Sequence, residues 1–124
     1  MGRFVEKGHV LVVDDDASVC RMVADALRQY GFQVTTASSV LDALEAVENK
    51  RPNLVILDIR MPVLTGGDFA YVLKRHSVTL PVVVMTGEHD ASHWADEIGA
   101  VGFLRKPFKL TELFSIVDRY AMVS

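Results

Sequence analysis

The sequence predicts an α/β domain whose parallel sheet is covered by helices on both faces. Two observations carry this. Five short apolar runs alternate with five longer amphipathic segments along the whole chain. The runs are rich in Val and Ile, and three of them are apolar throughout, as strands buried on both faces are. Strands that alternate regularly with helices read as a doubly wound parallel sheet.

Taken in order, the first strand is Val10 to Val13, entered from His9 and ended by three consecutive carboxylates, Asp14, Asp15 and Asp16. Two unit charges ~4 Å apart at an effective dielectric near 20 repel by roughly 4 kcal/mol, so this crowding needs a cause. Asp16 is read as the cap of the first helix, where its side chain can accept from the free N–H groups ahead of Val19. That helix carries a stripe of Val19, Met22, Val23, Ala26 and Tyr30 and closes at Gly31. The second strand, Gln33 to Thr36, is the most polar and is read as an edge. A second helix follows, with Val40, Leu44 and Val47 inward and an end near Pro52. The third strand is Leu54 to Leu57, and Phe69, Val72 and Leu73 mark the helix after it. The fourth strand is Val82 to Met85, followed by a helix with Ala91, Trp94, Ala95 and Ile98 on its apolar side, ending before Gly99. The fifth strand is Gly102 to Leu104, and Leu110, Leu113, Phe114, Val117 and Ala121 mark the last helix.

At 124 residues the chain suits one domain, 1–124, with a core of about 8–122. Half of the residues are hydrophobic and 23% are charged, an ordinary globular balance. The net charge of −3 lacks the basic footprint of a nucleic-acid binder. A lone Cys20 excludes an internal disulfide and fits a reducing compartment. No apolar run reaches the ~18 residues of a membrane span. Met1 to Lys7 lacks the apolar core of a secretion signal, and Glu6 stands where a myristoylation motif has Ser or Thr. A soluble, cytoplasmic protein without membrane or direct nucleic-acid contacts is the expectation.

Ligands of open parallel sheets bind beyond the carboxyl ends of the strands, so the residues closing each strand matter most. The first strand closes in Asp14 and Asp15, the third in Asp58, the fourth in Thr86 followed by Gly87, and the fifth in Lys106 followed by Pro107. Each residue alone is unremarkable, since an Asp after a strand is more often a cap or turn former than a ligand. Their joint placement at the same end of different strands points to one shared site. Oxygen donors alone favour Mg²⁺, with Mn²⁺ as the alternative, whereas the spaced calcium loop is absent. A metal beside Asp58 suggests phosphoryl transfer to that carboxylate. Lys106, the Thr86 hydroxyl and the Gly87 N–H are then placed to meet the phosphoryl oxygens.

With these residues in view, the sequence resembles the receiver domain of two-component response regulators, the CheY-like fold. The resemblance rests on "VVDDD", "LVILDIRMPVLTGGDF", "VVVMTG" and "GFLRKPF", which occur in the family's order and at about its spacing, from about Val10 to the last helix. It implies a five-stranded sheet in the order 2-1-3-4-5. It implies a phosphorylation-dependent signalling module, not a turnover enzyme, that accepts a phosphoryl group from a histidine kinase or histidine phosphotransfer protein. Asp58 matches the phosphoacceptor, Asp14 and Asp15 the acidic pair that organises Mg²⁺, and the Arg60 backbone carbonyl a further metal ligand. Thr86 matches the hydroxyl switch residue, Phe103 the aromatic switch, and Lys106 the family's lysine, with a cis bond to Pro107. The implied output surface is the fourth helix, fifth strand and fifth helix, through which a phosphorylation-dependent dimer or a downstream target would bind. Of the acidic pair, Asp15 is assigned as the direct ligand and Asp14 as acting largely through water.

Some positions depart from the family. Thr65 replaces an acidic or amide residue before Gly66, and the segment from Thr86 to Gly99 is one or two residues short. Arg60 and Glu88, each two residues after a site residue, are expected to pair across the mouth and restrict the attacking water. His89 and His93, four apart, read as an exposed pair. Two alternatives stay open on the residues. A haloacid-dehalogenase-type hydrolase opens with a D-x-D pattern that Asp14, Asp16 and Ser18 loosely imitate, but Ser18 misses the last position and no acidic cluster follows Lys106. A receiver that binds partners without phosphorylation is the other.

Overall fold

The computed structural model describes residues 6–60, 66–76, 78–87 and 91–123. Five parallel strands form the central sheet: β2 (His9–Val13), β3 (Gln33–Ala37), β4 (Leu54–Asp58), β5 (Val82–Thr86) and β6 (Gly102–Arg105). Their order is β3-β2-β4-β5-β6, the 2-1-3-4-5 arrangement once a short β1 (Glu6–Lys7) is set aside. Five helices intervene: α1 (Ala17–Gln29), α2 (Val40–Asn49), α3 (Gly66–Arg75), α4 (Ala91–Ile98) and α5 (Leu110–Tyr120).

The three uniformly apolar strands are buried along their whole length, and period-two alternation divides them between two cores. Val10, Val12, Leu54, Ile56, Val83 and Met85 pack with α1 and α5, against Val23, Leu27, Leu113 and Val117. Leu11, Val13, Val55 and Leu57 pack with α2 and α3, against Val40, Ala43, Phe69 and Leu73. A smaller cluster of Ile59, Val84 and Ala95 seats α4. Because both faces of one strand feed opposite cores, a one-residue slip would exchange them, and the register is strongly specified.

Helix ends follow their local chemistry. The Asp16 carboxylate accepts from Ser18 N–H at 2.9 Å and Val19 N–H at 3.3 Å, capping α1 as the sequence predicts. Beyond Tyr30, Gly31 turns the chain at φ 107°, a conformation that favours glycine. Ser39 caps α2 by accepting from Asp42 N–H.

Three details differ from the sequence reading. Met22 is 46% exposed, and the buried face of α1 is Cys20, Val23, Ala24 and Leu27. The expected stripe lies to one side of this face, and its Val19, Ala26 and Tyr30 are only partly buried against the same core. Leu110 is also 46% exposed: it stands at the first position of α5, ahead of the turn that reaches the core. Trp94 lies at the outer edge of its stripe and is exposed, while Ala91 and Ala95 carry the contact.

Two further strands of two residues each, β1 (Glu6–Lys7) and β7 (Met122–Val123), form an antiparallel ribbon at the opposite end from the strand C-termini. Such short pieces leave no periodic signal. Gly8 joins the ribbon to β2 and donates its N–H to the Ala121 carbonyl at 2.8 Å. A Cβ at Gly8 would stand 2.5 Å from that carbonyl oxygen and 2.4 Å from Asn53 Oδ1. Backbone cannot yield cheaply, so Gly8→Ala is expected to lower the free energy of urea unfolding by roughly 1–3 kcal/mol. An unchanged midpoint and slope would show that the ribbon junction moves freely.

Candidate functional site

Strand register brings the polar residues together. β2 and β4 pair Val13 with Leu57, so the residues that follow, Asp14 and Asp58, leave adjacent strands at the same level. β4 and β5 pair Asp58 with Met85, which sets Thr86 one residue further out. β5 and β6 pair Thr86 with Arg105, and Lys106 N–H donates to the Thr86 carbonyl at 2.8 Å. Asp14, Asp58, Thr86 and Lys106 therefore meet on one rim although 92 residues separate the first from the last. The Lys106–Pro107 bond is cis, as the resemblance implies.

The three acids that follow β2 separate by role. Asp14 is fully buried; its Oδ1 accepts from Asp16 N–H at 2.9 Å and its Oδ2 lies 2.7 Å from Lys106 Nζ. Asp15 is exposed. Asp16 turns away to cap α1. Asp58 is buried, its Oδ1 accepts from Arg60 N–H at 3.0 Å, and its Oδ2 stands 3.4 Å from Lys106 Nζ. One ammonium thus bridges two buried carboxylates. Its tighter contact is with Asp14, whereas the sequence reading reserved Lys106 for a phosphoryl oxygen.

Burial raises the Asp58 pKa to about 6, the Arg60 N–H opposes this, the Asp14 charge adds to it, and Lys106 opposes it. Burial alone would lower the Lys106 pKa, but its bond to Asp14 and the Asp58 charge outweigh this and hold it above the usual value. Thr86 is buried beside them, and a Cβ at Gly87 would meet nothing closer than Lys106 Cβ at 4.0 Å, leaving open space over its backbone. Phe103, on edge strand β6, is 41% exposed and is not a core aromatic. Glu88, expected to pair with Arg60, lies outside the described residues, as do Thr65 and His89.

Cys20 was not assigned to the site, yet its buried thiol donates to the Asp14 carbonyl at 3.2 Å and burial, then the Asp14 charge, push its pKa up. A contact six residues apart across a helix start has no sequence signature. The thiol fixes the backbone beneath the carboxylates.

One oxygen each from Asp14, Asp15 and Asp58 lie within 4.8 Å of one another. An all-oxygen donor set that is partly buried and open on the Asp15 side fits Mg²⁺ or Mn²⁺, which retain waters and take few protein ligands.

In the folded chain Asp58 binds its proton more tightly than an unfolded aspartate, whose pKa is about 3.9. Its contribution to stability is therefore full below about pH 4 and lost as pH rises through about 6. A cation needing the ionised carboxylate competes with that proton. Mg²⁺ affinity measured by calorimetry should fall roughly tenfold between pH 7 and pH 5 through this group alone. A flat profile over that range would mean that Asp58 ionises as an ordinary exposed carboxylate.

Comparison with known proteins gives a consistent picture. Residues 10–118 match the family described as response regulator receiver domain. The chain is 36% identical over 117 residues to the DNA-binding transcriptional regulator NtrC of Escherichia coli, covering 93% of this chain and 25% of that protein. It is 39% identical over 110 residues to the DNA-binding response regulator MtrA of Mycolicibacterium paratuberculosis, covering 87% of this chain and 48% of that one. It therefore spans between a quarter and a half of the length of these curated relatives. Among solved structures, the Vibrio cholerae chemotaxis protein CheY4 superposes with a TM-score of 0.83 at 31% identity, covering 92% of this chain and 98% of that one. The receiver domain of NtrX from Brucella abortus gives 0.82 at 33%, covering 89% and 95%. Among the described residues no helix is long and apolar enough to cross a membrane.

Proposed function

Because the chain belongs to the response regulator receiver domain family, a family of signalling domains, we propose that Asp58 is its phosphoacceptor and that residues 1–124 act as one receiver unit. The observation that carries this is the rim on which buried Asp58 lies beside Asp14, Thr86 and Lys106, each from the end of a different strand of the sheet. An Asp58 oxygen attacks the phosphorus of a phosphohistidine on a histidine kinase or phosphotransfer protein. The P–N bond breaks as the P–O bond forms, and the imidazole leaves with the electron pair. Such transfers depend mainly on positioning and charge neutralisation. Asp14, Asp15, Asp58 and the Arg60 carbonyl would hold a Mg²⁺ ion that would supply part of that neutralisation.

Of the acidic pair, exposed Asp15 would be the direct ligand, while Asp14, buried and held by Asp16 N–H and Lys106, would act largely through water. Lys106 is within reach of Asp58 and moves from carboxylate to phosphoryl oxygen as charge builds there. The Thr86 hydroxyl and Gly87 N–H receive the remaining phosphoryl oxygen. The inward pull on Thr86 favours an inward Phe103, biasing the α4–β6–α5 face toward its partner-binding state. Arg60, with Glu88, restrains hydrolytic water. The domain catalyses only its own phosphorylation and dephosphorylation, works in the cytoplasm, and signals to a protein target, to an output domain or to a second copy through that face, without contacting nucleic acid itself.

Acetyl phosphate with Mg²⁺ should label the wild-type chain at Asp58, detected as an 80 Da mass increase that Asp58→Ala abolishes. Steady turnover of soluble phosphate esters would replace the receiver reading with a hydrolase one, and labelling that survives in Asp58→Ala would place the acceptor at another residue. The division among the acids is tested by calorimetry: Asp15→Asn should weaken Mg²⁺ binding by roughly tenfold or more, while Asp16→Asn leaves it near wild type. Equal losses in the two variants would show that Asp16 is a ligand.

A further inference from the structure

A groove of about 620 Å³ runs along the sheet edge formed by β3, between α1 and α2. β3 is the outermost strand on its side, and its outer edge pairs with no strand among the described residues. The inner pairing decides which backbone groups point outward. Gln33 N–H donates to the Gly8 carbonyl at 3.2 Å, and the Ala37 carbonyl accepts from Asp14 N–H at 3.1 Å. Both residues thus face β2. The N–H and C=O of one residue point to the same side, and that side alternates along a strand. Thr35 therefore also faces inward, while Val34 and Thr36 present their backbone groups to the outer edge of the sheet, Thr36 within the groove. The Val34 carbonyl agrees: it accepts from the Arg28 guanidinium at 3.0 Å.

The two walls differ in sign. α1 lines one with Arg21 and Arg28, and α2 lines the other with Asp42 and Glu45. At the far end of α2, Lys50 is hydrogen-bonded to the Gln33 side chain. Asp25 stands 4.0 Å from Arg28, and Ser38 bonds Asp42.

We propose that this groove takes an extended segment of a partner protein as an added strand on β3. Backbone groups of the segment pair with those of Val34 and Thr36, the Arg28 guanidinium moving from the Val34 carbonyl to a ligand carboxylate. Side chains of an added strand alternate between the α1 wall and the α2 wall. The matching sequence is therefore acid–base–acid: two acids toward Arg21 and Arg28, and one base between them toward Asp42 and Glu45. A second copy of this chain is a poorer occupant. Antiparallel pairing of two β3 edges about a two-fold axis normal to the sheet keeps each helix on its own face. Arg21 and Arg28 would then approach their own images, as would Asp42 and Glu45.

The test uses the whole chain, labelled with ¹⁵N, and two capped peptides of equal composition, Thr-Glu-Lys-Glu-Thr and Lys-Thr-Thr-Glu-Glu. The first should bind roughly threefold to tenfold more tightly. It should slow amide exchange at Val34 and Thr36 but not at Thr35 and Ala37, whose N–H groups already face β2. Arg21→Glu or Glu45→Lys should each remove most of that preference. Equal affinity for the two peptides, shifts mapping away from β3, or an unchanged preference in both variants would overturn the proposal. So would a concentration-dependent dimer that protects Val34 and Thr36 without any peptide, which would make a second copy the occupant.

Discussion

The crowding of carboxylates where the buried strands end is the constraint around which this domain is arranged. Two of them, Asp14 and Asp58, are buried side by side because the β2–β4 register leaves no other place for the residues after Val13 and Leu57. Uncompensated, such a pair repels by several kcal/mol even at an effective dielectric of about 20. Lys106 answers the repulsion from a third strand, and backbone N–H groups of Asp16 and Arg60 take one oxygen from each acid. Burial still raises the Asp58 pKa to about 6, and the Asp14 charge adds to that rise. Together with Asp15, these carboxylates form an all-oxygen donor set of the kind divalent cations take.

That arrangement depends on apolar packing elsewhere. The central strands feed alternate side chains to two cores, so neither face can slip without exposing the other. Register held this firmly is what lets groups from four strand ends keep a fixed spacing. The same packing leaves the sheet's two edges unlike each other. β6 carries exposed Phe103 beside α4 and α5, on the face proposed to report phosphorylation. β3 is polar, guarded by Arg28, and flanked by walls of opposite charge. The two edges are thus chemically suited to different partners.

Much of this was legible in the order of residues. The apolar runs named each central strand to within a residue or two, because burial on both faces demands unbroken Val, Ile and Leu. Asp16 was identifiable as a cap because capping needs only a side-chain oxygen and two nearby N–H groups. The stripe of α1 was less legible: Met22 and Leu27 are both apolar, but Leu27 enters the core while Met22 stays exposed, and only the packing of the whole helix decides that. The ribbon of β1 and β7 was not visible at all, since two residues carry no period.

By itself the sequence determined which residues sit at strand ends and, through the motif set, which family they belong to, because periodicity and spacing are properties of the chain alone. Tertiary structure decided which charges pair. Lys106 reaches Asp14 more closely than Asp58, and the Cys20 thiol settles under the Asp14 backbone. The three consecutive acids divide into a buried anchor, an exposed ligand candidate and a helix cap. These outcomes rest on distances of a few ångströms between segments far apart in sequence. Burial sets their electrostatic strength, and burial exists only once the layers have closed.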